Sequence, residues 1–213
     1  VVFVDCLPLL LISLPVDPVQ GLVRNKERIE VRKFVTVNND EYYAFHKPEN
    51  TFRVMSFNIL ANFYLVRSED YAEKQHYYNW GHRKRQIIQE VKSVMPDILC
   101  MQEVQAPLHF SSSTPTGNDH YKLLETTFKH YGYSGLFKRK TPMNPKHAKN
   151  GPEIGNALFW RTDMFQLVRH EFVEFDKLMH DMCTSVNAKQ ALGKGYPQVA
   201  ILAELHNKSA NRS

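Results

Sequence analysis

The order of apolar and polar positions divides the chain before any composition is considered. From Arg28 to Val37, Ile29, Val31 and Phe34/Val35 alternate imperfectly with charged residues; Asn38-Asn39-Asp40 interrupts, and Glu41-Tyr42-Tyr43-Ala44-Phe45 follows. A period of two broken by Asn and Asp predicts a β-hairpin. His46-Lys47-Pro48-Glu49-Asn50 is polar and contains proline, and dense apolar segments begin after it. The boundary is placed there, giving an N-terminal extension (residues 1–50) and a second domain (51–213). In the second domain, Arg53 to Leu60 (RVMSFNIL) reads as a buried strand. His82 to Met95 puts Ile87, Ile88, Val91, Val94 and Met95 on one helical face, and Pro96 stops the helix. Asp97 to Glu103 (DILCMQE) is a near-continuous apolar run, as expected of a strand covered on both faces. Strand, long connection, helix, strand is the order of an α/β layer.

Ser111 to Asn118 is a loop rich in Ser, Thr, Pro and Gly. Asn118 or Asp119 can cap a helix carrying Tyr121, Leu124, Phe128 and Tyr131, which Gly132 ends. Short strands are then expected at Tyr133–Phe137, Asn156–Trp160, Phe165–Phe175 and Tyr196–Leu205, with Lys138 to Gly155 as a long polar connection. The fold class expected is therefore α/β, with a β-rich N-terminal extension.

Composition sharpens this in two places. Of 213 residues, 43% are hydrophobic and 23% charged, which excludes a disordered tail, a coiled coil or a fibre and allows one large core. The formal charge of +5 is local. Between Thr126 and Pro152 lie Lys129, Lys138, Arg139, Lys140, Lys146 and Lys149 with no acidic residue, and the remainder is close to neutral. A basic patch of this kind suits a polyanion: Lys138, Arg139, Lys140, Lys146 and Lys149 are candidate contacts to a nucleic-acid backbone, with Tyr131, Tyr133 and Phe137 nearby as stacking candidates. The alternative is a solvated loop with core aromatics. Cys6, Cys100 and Cys183 are scattered, without metal-site spacing, and point to a reducing compartment. In the apolar opening, Asp5, Pro8, Pro15 and Pro18 interrupt any helix long before the roughly 20 residues a span requires, so no membrane association is expected.

Chemistry is suggested first by Glu103. A buried strand seldom ends in a carboxylate without a partner, because an isolated buried charge costs several kcal/mol. Asn58 has the corresponding place in RVMSFNIL. Adjacent parallel strands would bring amide and carboxylate to one sheet edge, where ligands of α/β sheets bind. An amide with a carboxylate suits a hard cation such as magnesium; a strand-end salt bridge or helix-cap contact is the competing role. Arg83, in a basic cluster that opens a helix, is expected to bond to a strand end, and Phe159 and Trp160 to belong to the core.

Five segments occur in the order and spacing of one family: RVMSFNILAN (Arg53–Asn62), NWGHRKRQIIQEV (Asn79–Val91), PDILCMQEV (Pro96–Val104), YGYSGLFKRK (Tyr131–Lys140) and ALFWRTDMFQLVRHEFVEFDKL (Ala157–Leu178). Together they resemble the exonuclease-endonuclease-phosphatase superfamily, in its deadenylase branch with the Ccr4-type enzymes, nocturnin and the Angel proteins. The resemblance implies a two-sheet α/β sandwich. It also implies a magnesium-dependent (or manganese-dependent) 3'-to-5' exoribonuclease that hydrolyses poly(A) tails of mRNA and releases 5'-AMP. Glu103 of the QEV segment is similar to the magnesium-binding carboxylate, and Asn58 to the catalytic amide that helps arrange metal and phosphate. RNA, a protein complex partner and the cytoplasm, with the nucleus as alternative, follow from the same resemblance.

The resemblance covers about Phe52 to Leu205, the N-terminal part of a catalytic domain. The family's later N-x-H-L, D-x-N and S-D-H segments do not occur, so these 213 residues alone are expected to be inactive. Ile154-Gly155-Asn156-Ala157 stands where relatives commonly have D-G-C-A. Two alternatives stay open. One is a phosphodiesterase or phosphatase of the same fold acting on 2',5'-oligoadenylate or a phosphorylated dinucleotide; the other is a non-catalytic relative that binds RNA or protein.

Overall fold

The structure, a computed structural model, describes residues 2–4, 51–65, 75–106, 119–140, 153–182 and 198–208. The hairpin expected at Arg28–Phe45 and the candidates Lys146 and Lys149 lie outside them. The described strands and helices, in chain order, are β1 (Val2–Val4), β2 (Val54–Asn58), α1 (Asn62–Leu65), α2 (Gln75–Tyr78), α3 (Trp80–Val94), β3 (Ile98–Ala106), α4 (His120–His130), β4 (Tyr133–Arg139), β5 (Glu153–Arg161), β6 (Phe165–Glu174), α5 (Phe175–Met182) and β7 (Val199–Asn207).

Two sheets result, ordered β2-β3-β5-β4 and β1-β7-β6. β2 and β3 are parallel, as the strand-helix-strand order predicts, with Asn58 opposite Gln102; β5 runs antiparallel to both β3 and β4. The two faces of the four-stranded sheet separate the core. Leu99, Met101, Ala157 and Phe159 turn to one face and pack on Ile87 and Val91 of α3 and Tyr121, Leu124 and Phe128 of α4. Ile98, Cys100, Leu158 and Trp160 turn to the other and meet Phe165, Ile201 and Ala203 from the second sheet. A helix layer thus covers a sandwich of two sheets, and the near-continuous burial of β3 follows from its being covered on both sides. The sandwich is incomplete: on β2, Val54 remains 53% exposed on the face where Ile98 beside it is buried. From the N-terminal extension, Val2–Val4 pairs antiparallel with β7.

The stop of α3 and both ends of α4 follow the sequence signals, whereas α3 begins at Trp80 rather than His82. Asn79 caps α3, its side chain accepting from the His82 N–H at 3.3 Å, and Asp119 caps α4, accepting from Lys122 N–H at 2.8 Å. Pro96 follows α3, and Gly132, at φ 83°, follows α4. Three other boundaries also differ from the expectation. β5 begins at Glu153 rather than Asn156, so the polar connection is shorter than expected. α5 takes Phe175 into a helix rather than a strand. β7 begins at Val199 rather than Tyr196.

Asp97, 1% exposed, joins the elements at the opposite end of the sheet. It accepts from the Arg53 N–H at 2.7 Å and lies 4.0 Å from the Arg161 guanidinium. A buried carboxylate so paired avoids the cost of an isolated charge.

Candidate active site

β2 ends at Asn58, opposite Gln102, while β3 continues past Glu103 to Ala106; the strand expected to finish at Glu103 is longer, and the site is made by the last residue of β2 and an interior residue of β3. On β3 the pairing with β5 shifts between Met101 and Val104, so Gln102 and Glu103 together oppose the single residue Asn156. This is a β-bulge, and Glu103 occupies it with φ 58°, in the left-handed region a non-glycine residue rarely adopts. Met101 faces the helices before the bulge and Val104 faces them after it. The extra residue leaves Glu103 free of that alternation and directs its carboxylate toward the end of β2.

There each carboxylate oxygen has a donor. Asn58 Nδ2 donates to Glu103 Oε1 at 3.0 Å, and the Ala61 N–H donates to Oε2 at 3.1 Å. Asn58 Oδ1 accepts from the Leu60 N–H at 2.9 Å, closing a short turn in which Leu60 has φ 57°. Gln102 donates to Ser56 Oγ at 3.2 Å, and Ile59 N–H donates to Gln102 O at 3.1 Å, which extends the β2–β3 register into the turn. The two residues singled out in the sequence are therefore brought together. The turn residues Leu60 and Ala61 were not anticipated, because a backbone N–H carries no residue signature.

Arg83 lies behind the turn. Its Nη1 donates to Asn62 Oδ1 at 2.7 Å, and its Nη2 donates to the carbonyls of Ile59 and Leu60. Burial lowers its pKa and the nearby Glu103 charge opposes that shift. The guanidinium sits over the Trp80 ring, 5.9 Å from its centroid, and Trp80 stacks on His120 with centroids 3.5 Å apart. Burial, with the Arg83 charge adding to it, lowers the pKa of His120 to about 3, so its ring is neutral near pH 7.

The basic residues reach the same sheet end by register. Asn58 is opposite Gln102, the bulge faces Asn156, and Asn156 is opposite Lys138. At about 4.8 Å per strand, Lys138 lies roughly 14 Å from Asn58 along this row. Lys138 is engaged, however: its Nζ is 2.6 Å from Glu174 Oε1 and 5.6 Å from the Phe172 ring centroid. Hydrogen bonds from Lys138 and Lys177 hold the Glu174 carboxyl down at about 2. Arg139 is exposed and Lys140 half-buried beyond it. Tyr133 is buried and Phe137 stacks on Tyr121, so both belong to the core; Tyr131 is exposed, with Lys92 5.1 Å from its ring centroid. Asn156, in the segment that departs from the family pattern, is fully buried and donates to Val199 O at 2.8 Å.

The donor chemistry fits a hard divalent cation in part. A half-buried carboxylate and an amide oxygen share one sheet end, each with lone pairs beyond the hydrogen bonds it accepts. No group of three or more His, Cys, Asp and Glu able to hold a metal occurs among the described residues. The buried Cys100 thiol, raised to about 12 by burial, is not available as a thiolate ligand. No described helix is long and apolar enough to cross a membrane.

The chain is similar to several known proteins. The CCR4-NOT transcription complex subunit 6-like-B of Xenopus laevis is 27% identical over 185 residues, 84% of this chain and 31% of that protein. The CCR4-Not complex 3'-5'-exoribonuclease subunit Ccr4 of Kluyveromyces lactis is 25% identical over 199 residues, 85% of this chain and 24% of its own. The chain thus spans less than a third of the length of either curated relative. The crystal structure of ANGEL2, a 2',3'-cyclic phosphatase, has the same fold at 24% identity, with a TM-score of 0.52 over 74% of this chain and 37% of that one. Residues 55–208 match the endonuclease/exonuclease/phosphatase family. With its two sheets and a match that covers residues 55–208, the chain belongs to the endonuclease/exonuclease/phosphatase family.

Proposed function

We propose that this chain is the N-terminal part of the catalytic domain of a magnesium-dependent 3'-to-5' exoribonuclease of the deadenylase type, hydrolysing poly(A) phosphodiesters to 5'-AMP. The observation that carries this reading is the pairing of Glu103, in the bulge of β3, with Asn58 at the end of the parallel strand β2, each Glu103 oxygen held by its own donor. Glu103, helped by Asn58, would hold magnesium or manganese, and the bound ion would supply positive charge for the oxyanions that develop at the scissile phosphate. Asn58 has a further part: its amide fixes the carboxylate while its oxygen holds the turn. Arg139 and Lys140, with Lys146 and Lys149 further along the chain, would carry the RNA backbone toward this end of the sheet. Lys138 contributes to the same field while bound to Glu174. RNA as substrate, a multisubunit protein complex as partner and the cytoplasm, with the nucleus as alternative, accompany this reading; the named relatives are subunits of such a complex.

The test uses the full-length form of the protein and a 5'-labelled RNA ending in poly(A), with magnesium, with manganese or with chelator. Stepwise shortening from the 3' end is expected only with metal, and Glu103→Gln is expected to keep less than about a tenth of the rate while remaining folded. Retention of more than that sinks the role of Glu103. Turnover of 2',5'-oligoadenylate or a phosphorylated dinucleotide in place of poly(A) would replace the substrate, and RNA binding without turnover would make the chain a non-catalytic relative.

A further inference from the structure

We infer that Arg83 is a positioning residue for Glu103, acting through the turn between β2 and α1. The inference rests on the proposed role of Glu103 and adds to it the element that fixes the carboxylate. Three acceptors converge on one guanidinium: the carbonyls of Ile59 and Leu60 and the Asn62 side chain. These residues bracket Ala61, whose N–H holds Glu103 Oε2, and Leu60, whose N–H holds Asn58 Oδ1. The turn is not one the chain adopts freely. Leu60 is left-handed at φ 57°, and a side chain with a Cβ disfavours that conformation. Something must hold it, and the fork of Arg83 spans the strained residue from both sides. Trp80 covers the guanidinium and the buried ring of His120 covers Trp80, so Arg83 is confined by two stacked rings. A lysine could supply the charge but not the planar fork that three separate acceptors require.

The experiment compares wild type, Arg83→Gln, Arg83→Lys, Glu103→Gln and the double variant Arg83→Gln/Leu60→Gly, all in the full-length chain. Binding of Mn2+ alone is read by water-proton relaxation, protection of the Ala61 amide by hydrogen exchange, and RNA cleavage as kcat and KM separately. Arg83→Gln is expected to weaken Mn2+ binding and lower kcat roughly 10–100-fold, the cost usual for residues that orient a ligand of a metal, with KM little changed. Loss of Ala61 protection should accompany it, and Arg83→Lys should restore only part. Leu60→Gly, which removes the penalty of the left-handed turn, should recover part of the affinity lost in Arg83→Gln. If Arg83→Gln lowers only the melting temperature, leaving Mn2+ affinity, Ala61 protection and kcat at wild type, the inference is overturned and the role of Glu103 stands. If Leu60→Gly recovers nothing, Arg83 acts by charge and not by position, which also overturns it. Unchanged Mn2+ binding and cleavage in Glu103→Gln would instead remove the reading on which it rests. Should Arg83→Gln not fold, Arg83→Lys carries the same comparison, with a loss of about three- to tenfold expected because charge is kept and the fork is not.

Discussion

His120 shows how one side chain can couple the region behind the site to pH. It is 1% exposed, stacked on Trp80 and next to the Arg83 charge, and its pKa falls from 6.5 to about 3. Between those values the unfolded chain binds a proton that the folded chain does not, so stability is complete above pH 6.5 and falls as pH drops toward 3. The slope from this group is about 1.4 kcal/mol per pH unit. Glu174 adds a separate, lower window: its carboxyl is depressed from 4.5 to about 2, so what it contributes is present above 4.5 and lost as pH falls through 2. Chemical denaturation at pH 7, 6 and 5 should therefore show a declining stability that His120→Phe flattens, since phenylalanine keeps the stack and cannot take the proton. An equal slope in that variant would remove His120 as the cause. The sequence did not single out His120; a histidine directly after a helix cap is unremarkable until Trp80 and Arg83 close around it.

At the scale of elements, the pairing of β4 with β5 depends on Gly155. A Cβ built there would lie 2.0 Å from Lys138 O and 2.7 Å from the Arg139 Cα, both backbone atoms that cannot move without opening the ladder. Gly155→Ala is expected to cost roughly 2–3 kcal/mol, the upper part of the range for overpacking, read as a lowered denaturant midpoint. A change below about 0.5 kcal/mol would mean that the strands separate at little cost. This glycine lies opposite the bulge region, so loosening it also loosens the row that links Lys138, Asn156 and Glu103. The elements themselves were legible where the pattern was strong. In α4 apolar periodicity, cap and stop agree, and in α3 periodicity and stop agree; Glu153-Ile154-Gly155 has the composition of a loop and conceals the start of β5, and Phe175 continues an apolar run that reads as strand into α5.

At the scale of the whole molecule, Asn156 joins the two sheets. It is fully buried in the four-stranded sheet and donates to Val199 O in β7. Asn156→Ala would remove that donor and leave the carbonyl less satisfied, at a cost of about 1–3 kcal/mol. Thermal unfolding measures the effect, and an Ala variant as stable as wild type would show that the sheets are held by the apolar layer of Ile98, Leu158, Trp160 and Ile201 alone. The amide ties the layers together on the side away from the helices.

Residues close together in the chain carry the local facts: the parallel β2–α3–β3 order, the helix stops at Pro96 and Gly132, the cap at Asp119, and the placing of Asn58 at the end of its strand. Periodicity, capping and proline act over a few residues, so they can be read from a few residues. The rest depends on packing, including the place of Glu103 inside β3 and not at its end. The bulge at Glu103 is a difference in residue count between two paired strands, and neither strand records it alone. The commitment of Lys138 to Glu174 joins residues 36 apart across two sheets. The hold of Arg83 on a left-handed turn joins a helix to a loop more than 20 residues before it. Each of these depends on which distant groups meet, and that is fixed only when the sheets and the helix layer pack.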